Sequence, residues 1–207
     1  MRGRRTLKNK KIIFLFIILI VLILIFFIFK NMTKKSINGN NMSSQEIVDY
    51  IFNVNSYKAK ITVNVNSNKN KNRYIIKQEF NKESGCIQEI VEPSNISGIK
   101  FINKDGNLVL ENSNLNITNI FENYHGLGKN YMDLNEFIEE CKLSNNYKVE
   151  EKNEEIVIEI KSNNDNKYIE NKRLYINKER LVPIKLIIED NNQNTTVNIE
   201  YNEIELN

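Results

Sequence analysis

The chain shows two different patterns of apolar and polar positions. Residues 12–29 form an unbroken apolar run, and the later segments are polar and Asn-rich, with apolar positions recurring at short intervals. A helix of these 18 residues is roughly 27 Å long, close to the roughly 30 Å hydrocarbon core of a bilayer. A helix also satisfies its own backbone hydrogen bonds, as lipid requires. The run therefore predicts a transmembrane helix, with the membrane-anchor residues Ile12, Phe14, Ile20, Leu24 and Phe29.

The flanks of the run predict its orientation. Basic residues precede it with no acidic residue among them, and the positive-inside bias places the N-terminus in the cytoplasm. Two other interpretations stay open. A cleaved signal peptide would have a shorter apolar core and a small-residue cleavage site, whereas residues 30–40 contain no Ala. A buried core helix would carry a polar face.

We favour an uncleaved signal-anchor, which predicts a single-pass protein of the cell membrane. Its parts are a basic cytoplasmic tail (1–11), the transmembrane helix (12–29), a polar tether (30–42) and one extracytoplasmic domain (43–207). A domain of that length is large enough for a hydrophobic core of its own.

Two segments of this domain have the period of an amphipathic helix. The first follows Ser43 and Glu46, which have the spacing of a capping box, and the second begins after Asp133. Five apolar positions on these helices are predicted to face the sheet and to line a possible apolar cavity: Ile47, Ile51, Leu134, Phe137 and Ile138. A plain hydrophobic core is the alternative for the same stripes.

The other segments alternate with a period of two, as strands with one buried face do. Nine to eleven strands are predicted, from the segments 57–66, 74–80, 86–92, 99–103, 108–111, 115–121, 147–152, 155–161, 168–176, 181–190 and 195–206. Their short connections require antiparallel pairing. A sheet of this size that is apolar mainly on one face must curl and be covered. We therefore predict an α+β fold, mainly β: a curved antiparallel sheet or half-barrel covered by two or three helices.

The charge balance argues against nucleic acid as a partner. The tail holds six of the 29 basic residues and none of the 26 acidic ones, so the rest of the chain has a net charge of −3. The overall charge of +3 thus comes from the basic tail, which orients the membrane helix. The rest of the chain has no basic stripe that could bind the phosphates of a nucleic acid. Abundant Asn and Ile with a single Ala are typical of a low-GC genome and suggest a Gram-positive bacterium.

The inventory of reactive side chains predicts a non-enzymatic protein with no catalytic, metal-binding or cofactor-binding residue. There is one histidine, His125, and no motif of a hydrolase, metalloprotease or nucleotide-binding enzyme. The acidic pairs at 139–140, 150–151 and 154–155 lie among Lys and Asn, and we expect them on solvated faces. Whether Cys86 and Cys141 pair does not follow from their spacing.

Several short sequence segments of the domain are shared with one known group of proteins. They are residues 57–62, Glu92-Pro93 with Gly98, residues 101–108, and above all the blocks 174–190 and 197–204. In these segments the chain resembles the LolA/LolB-like superfamily of lipoprotein carriers, and within it the clostridial spore germination lipoprotein GerS and its relatives. The resemblance implies a curved sheet closed by helices, with an apolar cavity for acyl chains. For the GerS-like branch it implies a role beside a cell-wall amidase in spore-cortex modification.

Three functional hypotheses follow. The first is a membrane-anchored scaffold for a peptidoglycan-modifying enzyme in sporulation or germination. The second is a module that binds lipid or lipoprotein acyl chains on the concave apolar face. The third is an envelope-stress sensor, which the short cytoplasmic tail disfavours. GerS-type proteins carry a lipid anchor, and this chain has a hydrophobic helix in its place, which favours a stationary protein over a shuttling carrier. The sequence predicts no oligomeric state.

Overall fold

A computed structural model of the chain describes residues 39–67, 69–104, 106–112, 114–122, 132–162 and 168–207. The predicted membrane helix, with Ile12, Phe14, Ile20, Leu24 and Phe29, lies outside the described residues, and so does His125. Within the described ranges, none of the helices has both the length and the apolar character needed to cross a membrane.

Within the described ranges, eleven strands form one antiparallel sheet. They are β1 (Ser56–Asn66), β2 (Lys71–Asn81), β3 (Gly85–Glu92), β4 (Ile99–Lys104), β5 (Asn107–Asn112), β6 (Ile117–Phe121), β7 (Tyr147–Lys152), β8 (Glu155–Lys161), β9 (Asn171–Asn177), β10 (Val182–Glu189) and β11 (Thr195–Leu206). Their order in the sheet is β6-β5-β4-β3-β2-β1-β11-β10-β9-β8-β7. The first and last strands therefore pair in the middle, and β6 and β7 are the two edges of the sheet as far as the chain is described. The prediction of a mainly β, curved antiparallel sheet is confirmed.

Local sequence explains where the strands begin and turn. In β1, Tyr57, Ala59, Ile61 and Val63 are buried on the face that the helices cover, called here the inner face. The β4–β5 hairpin is tight, since Lys104 pairs with Asn107 and Gly106 has a φ of 77°. The sixth strand is shorter than the predicted 115–121, because Asn116 has a left-handed φ of 51° and turns the chain before Ile117.

Both predicted helices are present. Helix α1 (Ser44–Phe52) begins with the expected capping box: Ser43 Oγ accepts from the Glu46 amide at 3.3 Å, and the Ser43 amide donates to Glu46 Oε2 at 2.7 Å. Helix α2 (Leu134–Ser144) is capped by Asp133, which accepts from the Asn135 amide at 2.9 Å. In the chain, α2 lies between the two edge strands β6 and β7.

The helices and the inner face of the sheet share one hydrophobic core. The five residues predicted to face the sheet all belong to it, with exposed fractions of 3% or less: Ile47, Ile51, Leu134, Phe137 and Ile138. The core also includes strand residues such as Ile61 and Ile158. The structure thus places the candidate cavity-lining side chains in a packed core.

This packing gives a prediction for two leucines of the same helix. Leu134 is 0% exposed and Leu143 is 83% exposed. We expect Leu134→Ala to lower the free energy of unfolding by about 2–5 kcal/mol, because a buried leucine leaves a cavity. Leu143→Ala, the matched control, should change it by less than about 0.5 kcal/mol. Chemical denaturation of the full chain in mild detergent measures both, and equal values for the two variants would contradict the packing.

Candidate interaction surface

Strands β4, β5 and β6 form a three-stranded wing at one end of the sheet, and this wing lies outside the core. None of its described residues is buried, and none of its apolar side chains belongs to the core cluster or packs against it. At the other end, β8 has Ile156, Val157, Ile158 and Ile160 buried to 3% exposure or less. The two ends of the sheet therefore differ in how well the helices cover them.

The outer face of the wing carries a row of aliphatic side chains. In the register of the sheet, Ile87 of β3 lies beside Ile102, Ile102 beside Val109, and Val109 beside Ile120. Directly opposed side chains are about 5 Å apart, so the four form one continuous strip. Ile87 is 37% exposed and Ile120 is 63% exposed. The next row, Glu89, Lys100, Glu111 and Thr118, is polar and borders the strip.

The inner face of the wing is also apolar. Phe101 pairs with Leu110, and Leu108 pairs with Phe121. Phe121 is 49% exposed and Ile117 is 45% exposed. Exposed apolar surface of this extent marks an interaction site in many proteins.

The two edge strands are protected to different degrees. Strand β7 carries Lys148, Glu150 and Lys152 on one face, and Glu150 forms an ion pair with Lys152 at 2.6 Å. The hydrogen bond from Lys152 lowers the pKa of Glu150 below its ordinary value. Strand β6 has the sequence Ile-Thr-Asn-Ile-Phe, has no charged side chain, and is exposed at all five residues. Charged side chains on an edge strand disfavour pairing with a strand of another chain. Of these two strands, β7 has this protection and β6 does not.

A buried polar cluster fixes the beginning of α2. The Tyr57 hydroxyl donates to Asp133 Oδ1 at 2.6 Å, and both groups are buried. Burial raises the pKa of Asp133, and it raises the pKa of Tyr57 and of Cys86 beside it. The Cys86 thiol is therefore protonated and unsuited to act as a nucleophile. The cluster joins the first turn of α2 to β1 and β3.

A second buried contact fixes the other half of α2. Glu140 forms an ion pair with Lys172 of β9 and accepts from Ser162 Oγ at 3.0 Å. The expectation of a solvated face was wrong for Glu140, which is 7% exposed. A signal existed in the sequence: Lys172 shares a strand face with the buried Leu174 and Ile176. A lysine on a core face needs a buried acidic partner.

The remaining candidate chemistry in the described part of the chain consists of two cysteines and several acidic side chains. Cys86 and Cys141 are separate, buried free thiols, and burial raises the pKa of Cys141 to about 12. Among the described residues, no group of three His, Cys, Asp or Glu side chains is placed to hold a metal ion.

Two cavities lie near opposite ends of β1. The first, of about 430 Å³, is lined by residues around the start of α2, including Phe80, Asp133 and Glu136. The second, of about 820 Å³, is lined at the far end by side chains such as Val65 and Tyr168. Neither lining includes any of the five predicted cavity residues.

Comparison with known proteins now gives the family. The sequence profile of the family described as "Sporulation protein YdcC-like" matches residues 9–207. The chain belongs to this YdcC-like family of sporulation proteins. Comparison with the curated proteins gives no match.

Solved structures agree with this YdcC-like chain in fold. The GerS lipoprotein, in the structure of the CwlD amidase from Clostridioides difficile in complex with it, aligns at 22% identity with a TM-score of 0.52. The alignment covers 78% of this chain and 92% of that chain. The resemblance to GerS expected from the sequence is thus confirmed at the level of the fold.

Two further structures align over a similar range. An uncharacterized conserved protein from Thermus thermophilus aligns at 12% identity with a TM-score of 0.50, over 80% of this chain and 88% of that chain. The LolA superfamily protein NE2245 from Nitrosomonas europaea aligns at 12% identity with a TM-score of 0.40, over 80% and 94% of the two chains.

The buried Asp133 gives a prediction for the pH dependence of stability. Its pKa is raised in the folded state, so the folded carboxyl binds its proton more tightly than the unfolded one does. The stability of the domain therefore falls as pH rises from the ordinary Asp pKa towards the raised value. Asp133→Asn keeps Oδ1 as an acceptor for Tyr57 and Asn135 but removes the ionisation.

We expect wild type to lose stability relative to Asp133→Asn between about pH 4 and pH 7. Denaturant unfolding of both proteins at the two pH values measures the difference. The same change with pH in both proteins would show that Asp133 does not ionise with a raised pKa.

Proposed function

We propose that the chain is a non-enzymatic, membrane-anchored envelope protein that holds a peptidoglycan-modifying enzyme during sporulation or germination. The observation that carries the proposal is the wing, which has apolar side chains on each face and lies outside the core. The YdcC-like sporulation family and the GerS-like fold support it, since GerS was solved in complex with an amidase.

The wing has the properties of a surface for another protein. Its outer strip is a row of aliphatic side chains bordered by a polar row, which is how interaction patches differ from scattered exposed residues. The fully buried centres of protein interfaces are poor in charge and apolar, while their rims are polar. Ile120 lies at the end of the strip with most of its side chain exposed, so it is the residue a partner would bury.

The membrane helix completes the proposal. The run 12–29 would hold the domain at the outer surface of the cell membrane, with the basic tail inside. Glycan strands under modification lie on that same side of the membrane. A fixed scaffold keeps an enzyme close to this substrate without any catalytic group of its own.

The wing gives a test by substitution. In sporulating cells, we expect the tagged full chain, solubilised in mild detergent, to carry with it an amidase that releases peptides from purified peptidoglycan. Ile120→Lys should lower this recovered activity at least tenfold, because it places a charge on the most exposed part of the apolar strip. Leu143→Lys is the matched control, since Leu143 is 83% exposed on α2, away from the wing.

Two results would contradict the proposal. One is wild-type protein that recovers no peptidoglycan-cleaving activity in repeated preparations. The other is equal recovery with Ile120→Lys and Leu143→Lys, which would leave the wing without a role.

A second function is favoured by the larger cavity. It has a volume of about 820 Å³, and its lining combines the apolar side chains of Val65, Ile169 and Val197 and the half-exposed Tyr168 with polar residues such as Lys69. Ligand pockets commonly have volumes of about 300–1,000 Å³. An acyl chain of a lipid or lipoprotein fits this chemistry. We propose this cavity, rather than the helix–sheet interface, as the site of any such binding.

Palmitic acid is a suitable probe for the cavity. We expect native mass spectrometry of the full chain to show one bound palmitate, and Tyr168→Asp to reduce its occupancy severalfold by placing a charge at the cavity. Val109→Asp on the wing is the control and should retain palmitate. A wild-type chain that stays empty at saturating palmitate would exclude the second function and leave the scaffold proposal standing.

A further inference from the structure

We propose that the cavity of about 430 Å³ at the start of α2 binds the acetamido sugars of a glycan strand. We call it the amide cleft, because four asparagines line it: Asn53, Asn55, Asn103 and Asn135. The inference goes beyond the proposed function, since it gives the chain a contact with a glycan in addition to its contact with an enzyme.

Four segments that are distant in sequence meet at the amide cleft. The lining residues lie within 52–55 at the end of α1, 82–86 at the β2–β3 turn, 103–104 at the end of β4, and 133–142 at the start of α2. Ligand pockets commonly have volumes of about 300–1,000 Å³. The cleft is therefore large enough for a short stretch of a polymer.

The walls of the cleft are held in place by close backbone contacts. The Lys82 amide donates to the Asn55 carbonyl oxygen at 2.9 Å, which joins the end of α1 to the β2–β3 turn. Gly85 has a φ of 84°, and a Cβ there would lie 2.1 Å from the Asn103 carbonyl oxygen, so glycine allows this close approach to β4. The start of α2 is fixed by the buried Asp133. Preformed walls reduce the ordering cost of binding.

The charges of the cleft argue for a ligand without a strong charge of its own. Apart from the buried Asp133, the described lining carries three lysines and three glutamates: Lys82, Lys104, Lys142, Glu83, Glu136 and Glu139. Lys142 and Glu139 pair with each other at 3.0 Å. A phosphate site has an excess of positive charge, and a site for a hard metal ion is built from oxygen ligands such as carboxylates. Balanced charges match a neutral ligand better than either ion.

The amides of the cleft argue for a sugar with an acetamido group. A side-chain amide has two donors and an acceptor, so it matches both hydroxyl groups and the N–H and C=O of an acetamido group. Phe52 and Phe80 also line the cleft and offer apolar contact for the acetyl methyl group and the C–H face of a sugar ring. An acyl chain would instead desolvate amides and carboxylates without replacing their hydrogen bonds.

A peptide ligand fits the same cleft less well. Peptides are commonly bound as an added strand, or through apolar anchors in an apolar groove. The amide cleft offers polar side chains from four segments, which suits a ligand with hydroxyl groups around its whole edge. We therefore infer a glycan, and glycan strands are also the polymer beside which the proposed scaffold would hold its enzyme.

Isothermal titration calorimetry tests the binding of sugars to the full chain. The protein is kept in a zwitterionic detergent, because detergents with sugar headgroups would compete. We expect tri-N-acetylchitotriose to bind, and maltotriose, which has no acetamido group, to bind about tenfold more weakly or not at all. Equal affinity for the two sugars, or no binding of chitotriose at millimolar concentration, would overturn the proposal.

Substitutions in two different walls assign the binding to the cleft. Asn103→Ala and Asn135→Ala should each weaken chitotriose binding about fivefold or more, because each removes side-chain hydrogen bonds to the sugar. The backbone amide of Asn135 that donates to Asp133 is retained, and we expect both variants to keep the melting temperature of wild type. Asn191→Ala, at an exposed turn residue after β10, is the matched control. Wild-type affinity in both cleft variants would show that the sugar binds elsewhere.

The source of the glycan is tested with purified polymers. Acetamido sugars occur in peptidoglycan and in other envelope polysaccharides. We expect sacculi stripped of other polymers to retain wild type and the Asn191→Ala control, and to retain Asn135→Ala weakly. Retention on the other polysaccharides alone would overturn the assignment to peptidoglycan strands.

The cleft and the wing can be separated by their variants. Asn135→Ala should recover the amidase activity of wild type, and Ile120→Lys should bind chitotriose as wild type does. Sugar binding without any recovered amidase would overturn the scaffold and support the cleft. Recovered amidase without sugar binding would do the reverse.

Discussion

Among the residues that the structure describes from Gly39 onward, two short helices cover a sheet of eleven strands, and the rest of the structure depends on this mismatch. The strands at about 4.8 Å spacing extend roughly 48 Å across the sheet. Helices of 9 and 11 residues are roughly 13 Å and 16 Å long. Placed end to end they cover about 30 Å. These two helices leave part of the inner face uncovered, and their positions decide which part.

Buried polar contacts decide those positions. Asp133 at the start of α2 accepts from Tyr57 of β1, and Glu140 in its second half pairs with Lys172 of β9. Because both contacts are buried, breaking either leaves a polar or charged group without a partner, at a cost of about 1–5 kcal/mol. Helix α1 is tied to β7 through the ring contact between Phe52 and Tyr147. The buried core therefore extends from β3, which contributes Cys86, to β7, and β4–β6 lie beyond it.

The sequence predicted what local periodicity determines. Alternation along β1 and the capping residues Ser43 and Asp133 placed most strands and both helices close to their observed ends. Periodicity tells which side chains share a face, but whether that face is covered depends on distant elements. Periodicity therefore placed Ile120 only as a strand residue and Glu140 on a solvated face. The helix that buries Glu140 and leaves Ile120 exposed is positioned by long-range contacts, which periodicity does not show.

The same physics favours a scaffold over a carrier that opens between its helices and its sheet. Separating them would expose Ile47, Ile51, Leu134, Phe137 and Ile138, all 3% exposed or less. At about 1.5–3 kcal/mol for each side chain, the cost is roughly 7–15 kcal/mol, as large as the whole stability of a typical domain. An acyl chain would have to replace nearly all of those contacts. The wing requires no such opening, since its apolar side chains are already half-buried or exposed, and covering them would leave the core undisturbed.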